Sequence, residues 1–344
     1  MSIILDQIAD QVRTKIPDFD EWSLRRRAIA LANHLRENRL VGINSDANYH
    51  DLQNNFIGVA LQDVNHSSLP LISVAIFCCV AIRLGIDAHP CGFPFHALAI
   101  VKPPLGRTLD GGESDFGQAS ASMYMDPFRS DQETDVQNLK AQLRSMSVAP
   151  VRQSEFLDAS PVEQIVRRCA KNIILSVQTL PRHNGAGPMS TVASFPEMDG
   201  ALYAALWSLM ILPEGDEAEA SAQRTRYLRY TVEKMETEYL TDVGMIEEHI
   251  LPFIIDSHQR KSLIETIRVV RAGDQMSRQI KRRCLDTENK VHYSIGQAFR
   301  HKRYHYQAVI AGWDVECEAG DRWMETMNVR RLSKGQHQSF YHVL

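Results

Sequence analysis

The residue types best suited to chemistry here are six cysteines, a few histidines and one basic–aromatic run. Cys78, Cys79, Cys91, Cys169, Cys284 and Cys317 are scattered, and none forms a C-x-x-C pair. Structural zinc sites need ligands paired at short spacing, so no metal site is expected. Cys91 lies five residues before His96. On a regular strand, at ~3.3 Å per residue, the two would stand apart on opposite faces and could not pass a proton. The same geometry counts against His89, Cys91 and His96 as metal ligands. Cys78 and Cys79 fall inside an apolar run, where a thiol is packing rather than a reagent. Gly111-Gly112 lacks the Lys-Ser/Thr of a phosphate loop, and Leu332-Ser333-Lys334-Gly335 reads as a basic turn. No cofactor is expected.

The run from Arg300 is different. Arg300, His301, Lys302 and Arg303 lead into Tyr304 and Tyr306. Cations to meet phosphates, interleaved with rings to stack, are what a nucleic-acid or partner contact requires. From Lys290 to Leu344 eight Lys/Arg stand against five Asp/Glu, a net +3, while the whole chain carries −4. That excess is modest. A solvated strand whose tyrosines pack inward therefore stands beside the binding reading.

These residues need elements to hold them. Residues 2–40 read as two helices, with Ile3, Ile4, Ile8 and Val12 on one and Leu24, Ala28, Leu31 and Leu35 on the other. Pro17-Asp18 divides them. Ser67 or Ser68 is placed to cap a helix with Pro70 in its first turn and Gly85 just past its end. Leu69 to Leu84 is apolar nearly all round, so this helix should be central and buried. It is too short to span a bilayer. Residues 88–101 and Met123 to Phe128 read as strands, with a Pro/Gly/Ser-rich surface insertion over 102–122.

Residues 135–285 are helical in pattern. Ala201, Tyr203, Leu206, Leu209 and Met210 mark one segment, Gly215 to Ala222 an acidic link, and Tyr227 to Tyr239 another helix; paired helices of this kind suit a solenoid-like array. After residue 291 the period shifts towards two, with strands at 309–312 and 340–344 and a short helix at 321–327. Trp313 and Trp323 read as core anchors. The 344 residues, 44% of them apolar, suffice for two or three units. No secretory signal opens the chain, so reduced thiols and a cytoplasmic or nuclear site are expected, with no membrane partner.

Two resemblances follow from particular runs. Tyr49-His50-Asp51, Asn54-Asn55, Ser68-Leu69-Pro70-Leu71, Arg83-Leu84-Gly85, Gly92-Phe93-Pro94-Phe95-His96 and Met125-Asp126-Pro127-Phe128 resemble the SirB-type transglutaminase-like family. Ile295-Gly296-Gln297, Arg300-His301, Tyr304-His305-Tyr306, Val309 to Asp314, Trp323 and Phe340 to Leu344 resemble the YccV-like domain, also called hemimethylated-DNA-binding or HspQ-like. Together, in this order, they resemble a eukaryotic F-box protein family. The resemblance implies an α+β chain: a transglutaminase-like (papain-like) region over 1–134, a helical region over 135–288 and a small β-barrel-like domain over 289–344.

It also implies site residues. Active members place a Cys near the start of the central helix, with a His and an Asp on the following strands. His96 and Asp126 match that pair, while the nucleophile position matches Pro70. The expectation is a transglutaminase-like pseudoenzyme in which His96 and Asp126 persist, first as a hydrogen-bonded tie between strands and second as part of a pocket. A cysteine transglutaminase or protease is the alternative. The F-box context implies protein clients and a ubiquitin-ligase scaffold as partners; the YccV-like domain implies DNA through 291–344. No F-box is evident, and the YccV-like pattern normally continues further. A piece of a longer protein is therefore expected, with an open barrel and an unpaired edge at 339–344.

Overall fold

The computed structural model describes residues 1–43, 49–114, 121–179, 196–275, 281–284, 290–302 and 305–344. It divides into an N-terminal unit reaching residue 271 and a C-terminal unit from residue 272. The fold is α+β, largely helical, with two small antiparallel sheets.

In the N-terminal unit, α1 (Ser2–Lys15) and α2 (Leu24–Glu37) pack on α4 (Pro70–Arg83). The buried stripe of α1 is Leu5, Ile8, Ala9 and Val12, with Ile4 packed against the core, so of the residues read onto this face only Ile3 points to solvent. A single-turn helix at Leu52–Asn55 and α3 (Ile57–Gln62) lead towards α4. As its composition requires, α4 is buried on most sides.

Its start corrects one expectation. The N-cap is Leu69, without a side-chain cap, and Pro70 is the first helical residue. Ser68 has a different partner. Ser68 Oγ lies 2.8 Å from Ser73 Oγ, and both accept from the Gly42 N–H, at 3.3 and 3.2 Å. The hydroxyls thus satisfy a backbone donor from a neighbouring segment. The end of α4 follows the Gly85 signal. Gly85 takes φ +69°, its N–H reaches the Ile82 carbonyl, and the Ile86 N–H reaches that of Ala81. This double closure satisfies carbonyls the helix leaves open.

Strands β1 (Ala88–Cys91), β2 (Leu98–Val101), β3 (Met123–Met125) and β4 (Glu133–Thr134) form one sheet in that order, antiparallel throughout. Side chains alternate across it. Ala99 and Val101 join the α4 core, while Leu98 and Ile100 pack with Leu139, Leu143 and Leu157 of α5 (Val136–Ser145) and α6 (Gln153–Leu157) on the other face. The sheet therefore lies between helical layers.

Beyond it, α7 (Val162–Thr179), α8 (Met198–Ile211) and α9 (Glu217–Thr237) pack consecutively, followed by α10 (Val243–His249) and α11 (Ser257–Gln275). The segment read as an acidic link is the start of α9: Asp216 accepts from the Glu219 N–H, and the Glu219 carboxylate from the Asp216 N–H. Acids there cap the helix and complement its positive end. Among the described residues, no helix is long and apolar enough to cross a membrane.

The C-terminal unit holds a three-stranded antiparallel sheet, β5 (Ala298–Arg300), β6 (Gln307–Asp314) and β7 (Phe340–Val343), with β6 central. Helix α12 (Asp321–Thr326) lies between β6 and β7 in the chain. Inward residues of β6 are Ala308, Ile310 and Trp313. Among the described residues this sheet is open, with β5 and β7 at its edges.

Candidate functional site

The structure brings His96 and Asp126 together. Strand β1 ends at Cys91 because Gly92 and Pro94 interrupt the ladder; Pro94 has no N–H to give. The chain then turns sharply. The His96 N–H bonds the Pro94 carbonyl at 2.7 Å across Phe95, which takes φ +60° and is exposed. A γ-turn with a non-glycine centre at positive φ is strained. It aims His96 at the end of β3, where His96 Nε2–H donates to Asp126 Oδ2 at 2.7 Å.

Asp126 is itself held in place. Its Oδ1 accepts from the Arg129 N–H at 3.2 Å, and its backbone carbonyl accepts from Arg129 and Ser130 in the turn after β3. Arg36 of α2 donates to the carbonyls of Pro127 and Phe128. The Phe128 ring stands edge-on to His96 and to Tyr49. Burial pushes the Tyr49 phenol up, opposed by Arg129 and Arg168 nearby. Arg168 of α7 donates to the Phe93 carbonyl at 2.9 Å, and its burial lowers the guanidinium. The site is thus an imidazole–carboxylate pair with aromatic and cationic neighbours. It can orient a proton acceptor; attack would need a separate nucleophile.

Pro70 opens α4 and is buried. The cysteines of this unit are not activated. Burial raises Cys78 well above the ordinary thiol value and raises Cys79 and Cys169. Cys91 donates to the Phe156 carbonyl at 3.2 Å, and burial pushes it to about 11. Cys91 pairs with Leu98 across the β1–β2 ladder, so His96 lies in the connection and not on the Cys91 strand. His89 contacts Asp87 at 2.7 Å. Among the described residues, no three of His, Cys, Asp and Glu gather as a metal group.

The basic run lies at the β5–β6 hairpin. Arg300 ends β5, His301 and Lys302 follow, and Tyr306 precedes β6; Arg303 and Tyr304 lie outside the described residues. Arg300, Lys302 and Tyr306 are exposed. Tyr306 stacks on His301 with centroids 4.9 Å apart and stands edge-on to Phe299 of β5. Sequence reasoning also misplaced Trp323. Trp313 is buried, but Trp323 is 46% exposed, because α12 lays its ring along a cleft and not into the core.

With this geometry in view, two families match. Residues 1–171 match the Transglutaminase-like superfamily, and residues 291–344 match "Hemimethylated DNA-binding protein YccV like". The chain thus carries a transglutaminase-like region ahead of a YccV-like domain, and over most of its length it is similar to F-box proteins. Its curated relatives bear the name F-box only protein 21. The human relative is 22% identical over 339 residues, 94% of this chain and 48% of that protein. The mouse and orangutan (Pongo abelii) relatives are each 42% identical over 76 residues, 22% of this chain and 12% of theirs. The chain therefore spans at most about half the length of these relatives. No solved structure matches it.

Proposed function

We propose that this chain is a non-catalytic recognition module of a ubiquitin ligase, built on a transglutaminase-like region without its nucleophile. The observation that carries this reading is the start of α4. Pro70 stands where a thiolate would profit from the helix N-terminus. A proline ring has neither a nucleophile nor an N–H. The raised thiols of Cys78 and Cys91, which are buried, and of Cys79 and Cys169, which are half-buried, offer no substitute. In this reading His96 and Asp126 tie the β1–β2 connection to the β3 turn. The F-box name of the relatives supports protein clients and a ligase scaffold as partners, in the cytoplasm or nucleus.

Two assays test the two parts. Incubation with a fluorescent primary amine and an acceptor protein should give no transfer; a transfer abolished by Cys91→Ala or His96→Ala would overturn the non-catalytic part. Capture from cells, with the chain in its full-length context, should recover ligase-scaffold subunits. Recovery of none would overturn the adaptor part.

One observation favours a second reading, DNA binding through the C-terminal unit. No Asp or Glu occurs from Lys290 to Trp313. Asp314 is the last residue of β6, an eight-residue strand, and Glu316, Glu318, Asp321 and Glu325 follow it. At ~3.3 Å per residue that is roughly 25 Å, about three screening lengths at physiological salt. Along the strand, Asp314 is therefore too far away to neutralise the hairpin's cations. Reversing Arg300, Lys302 and Arg303 to Glu should weaken a gel shift at low salt. It should also flatten the salt dependence by about 0.9 in log–log slope for each phosphate no longer neutralised. The absence of any shift for the unaltered chain would sink this reading.

A further inference from the structure

The C-terminal unit contains a cleft of about 1050 Å³ that neither reading uses. Trp313, Trp323, Phe340 and Tyr341 supply aromatic surface, and Asp314 and Glu318 supply carboxylates. The volume suits a ligand larger than a single side chain. The cleft also holds a guest from its own chain. Lys281 Nζ donates to Asp314 Oδ1 and, at 2.6 Å, to Glu318 Oε2.

The carboxylates are set for a cation. Asp314 is almost buried, with its side chain 12% exposed, and His342 Nε2 holds its Oδ2 at 2.8 Å. Burial works to raise its carboxyl, but the bonds from Lys281 and His342 outweigh burial and hold it below its usual range. Asp314 therefore stays ionised while its second oxygen faces the cleft. Glu318 stands at the rim, mostly exposed. An ammonium between the two is bonded by one fixed and one mobile carboxylate. A lysine stem is four methylenes, and such stems lie readily along apolar and aromatic surface. Trp323, half-exposed beside the acids, offers that surface.

We infer that this cleft is a binding site for a lysine side chain presented by a peptide segment, with Lys281 as its internal occupant. The inference concerns direct binding by the C-terminal unit and does not depend on a role in a ubiquitin ligase. It makes a counter-intuitive demand. Removing Lys281 should strengthen binding of an external peptide, because the competing ammonium is gone and Asp314 keeps its His342 bond.

The test uses the full chain and blocked hexapeptides of glycine and alanine with one central lysine, followed by tryptophan fluorescence. Lys281→Ala should bind the lysine peptide at least about tenfold more tightly than the unaltered chain, a difference of roughly 1.4 kcal/mol. The same peptide with norleucine or acetyl-lysine should bind at least about tenfold more weakly to the Lys281→Ala chain, since it brings no charge. Trp323→Ala and Glu318→Gln, both at exposed positions, should each weaken binding, with the melting curve confirming that the unit stays folded. Equal binding of the lysine and norleucine peptides would overturn the inference. So would the absence of saturable binding to a folded Lys281→Ala chain.

Discussion

Replacing His96 by alanine should cost the N-terminal unit stability. The magnitude follows from what Asp126 is left with. Its side chain is 10% exposed and that of His96 17%, so water reaches the pair only partly. Truncating His96 takes the donor from Oδ2, while Oδ1 keeps the Arg129 N–H at 3.2 Å. Leaving a buried acceptor unsatisfied costs about 1–3 kcal/mol, and breaking a fully buried ion pair about 3–5. Partial exposure and the remaining bond favour the lower range. The expected net loss is therefore about 1–2 kcal/mol. Urea unfolding followed by circular dichroism would measure it, and Asp126→Asn with the double variant would complete the cycle. A coupling of about 1 kcal/mol or more is expected for residues in direct contact. Additive single effects, or a His96→Ala chain as stable as the parent, would refute the assignment of this pair to structure.

Three further outcomes follow from the fold. His34 is 5% exposed, neither ring nitrogen has a partner in the described structure, and burial, then Lys15, lowers it while Glu37 opposes. Its unfolded form protonates first, so stability present above about pH 6.5 should be lost as pH falls below that value towards the folded pKa, at no more than about 1.4 kcal/mol per pH unit. His34→Leu should flatten that slope in urea midpoints measured across the range; an unchanged slope would remove His34 as its source. Gly85→Ala should cost about 1–2 kcal/mol, because φ +69° strains any residue with a Cβ although Arg27 Nη2, 3.6 Å from the Cβ position, makes only an ordinary contact, and a midpoint unchanged in urea would contradict the closure described for α4. Amides of 340–343 should exchange much faster than those of 70–83, since β7 is an edge strand with Val343 and Leu344 exposed; equal strong protection by mass-spectrometric exchange would show a closed barrel.

Local signals in the sequence carry most of the N-terminal core. The apolar run from Leu69 and the stop at Gly85 define α4, short apolar runs bounded by turn residues define β2 and β3, and alternation defines β6. What escapes local reading depends on which surfaces meet. Ser68 has the right type for a cap, yet Gly42 from another segment claims its hydroxyl. Trp323 has the size of a core residue, yet α12 turns it to a cleft. The Asp314–His342 contact requires the β6–β7 register, which no spacing within either strand encodes. Both residues belong to the YccV-like motif runs, so their types are legible while their pairing is not. The strand break at Gly92-Phe93-Pro94 is readable in principle, and it separates Cys91 from His96.

Asp126 has a consequence for how such proteins change over time. It ends β3, closes the turn to Arg129 and Ser130 through its carbonyl, takes the Arg129 amide on one oxygen and the imidazole on the other. Four hydrogen bonds converge on one side chain and its peptide unit. A lineage that dispensed with chemistry at this place would still be penalised for losing the aspartate, because the turn and the strand crossing would fail with it. Retention of an aspartate here is thus poor evidence of catalysis in any relative, and a change at the start of α4 is the more telling mark.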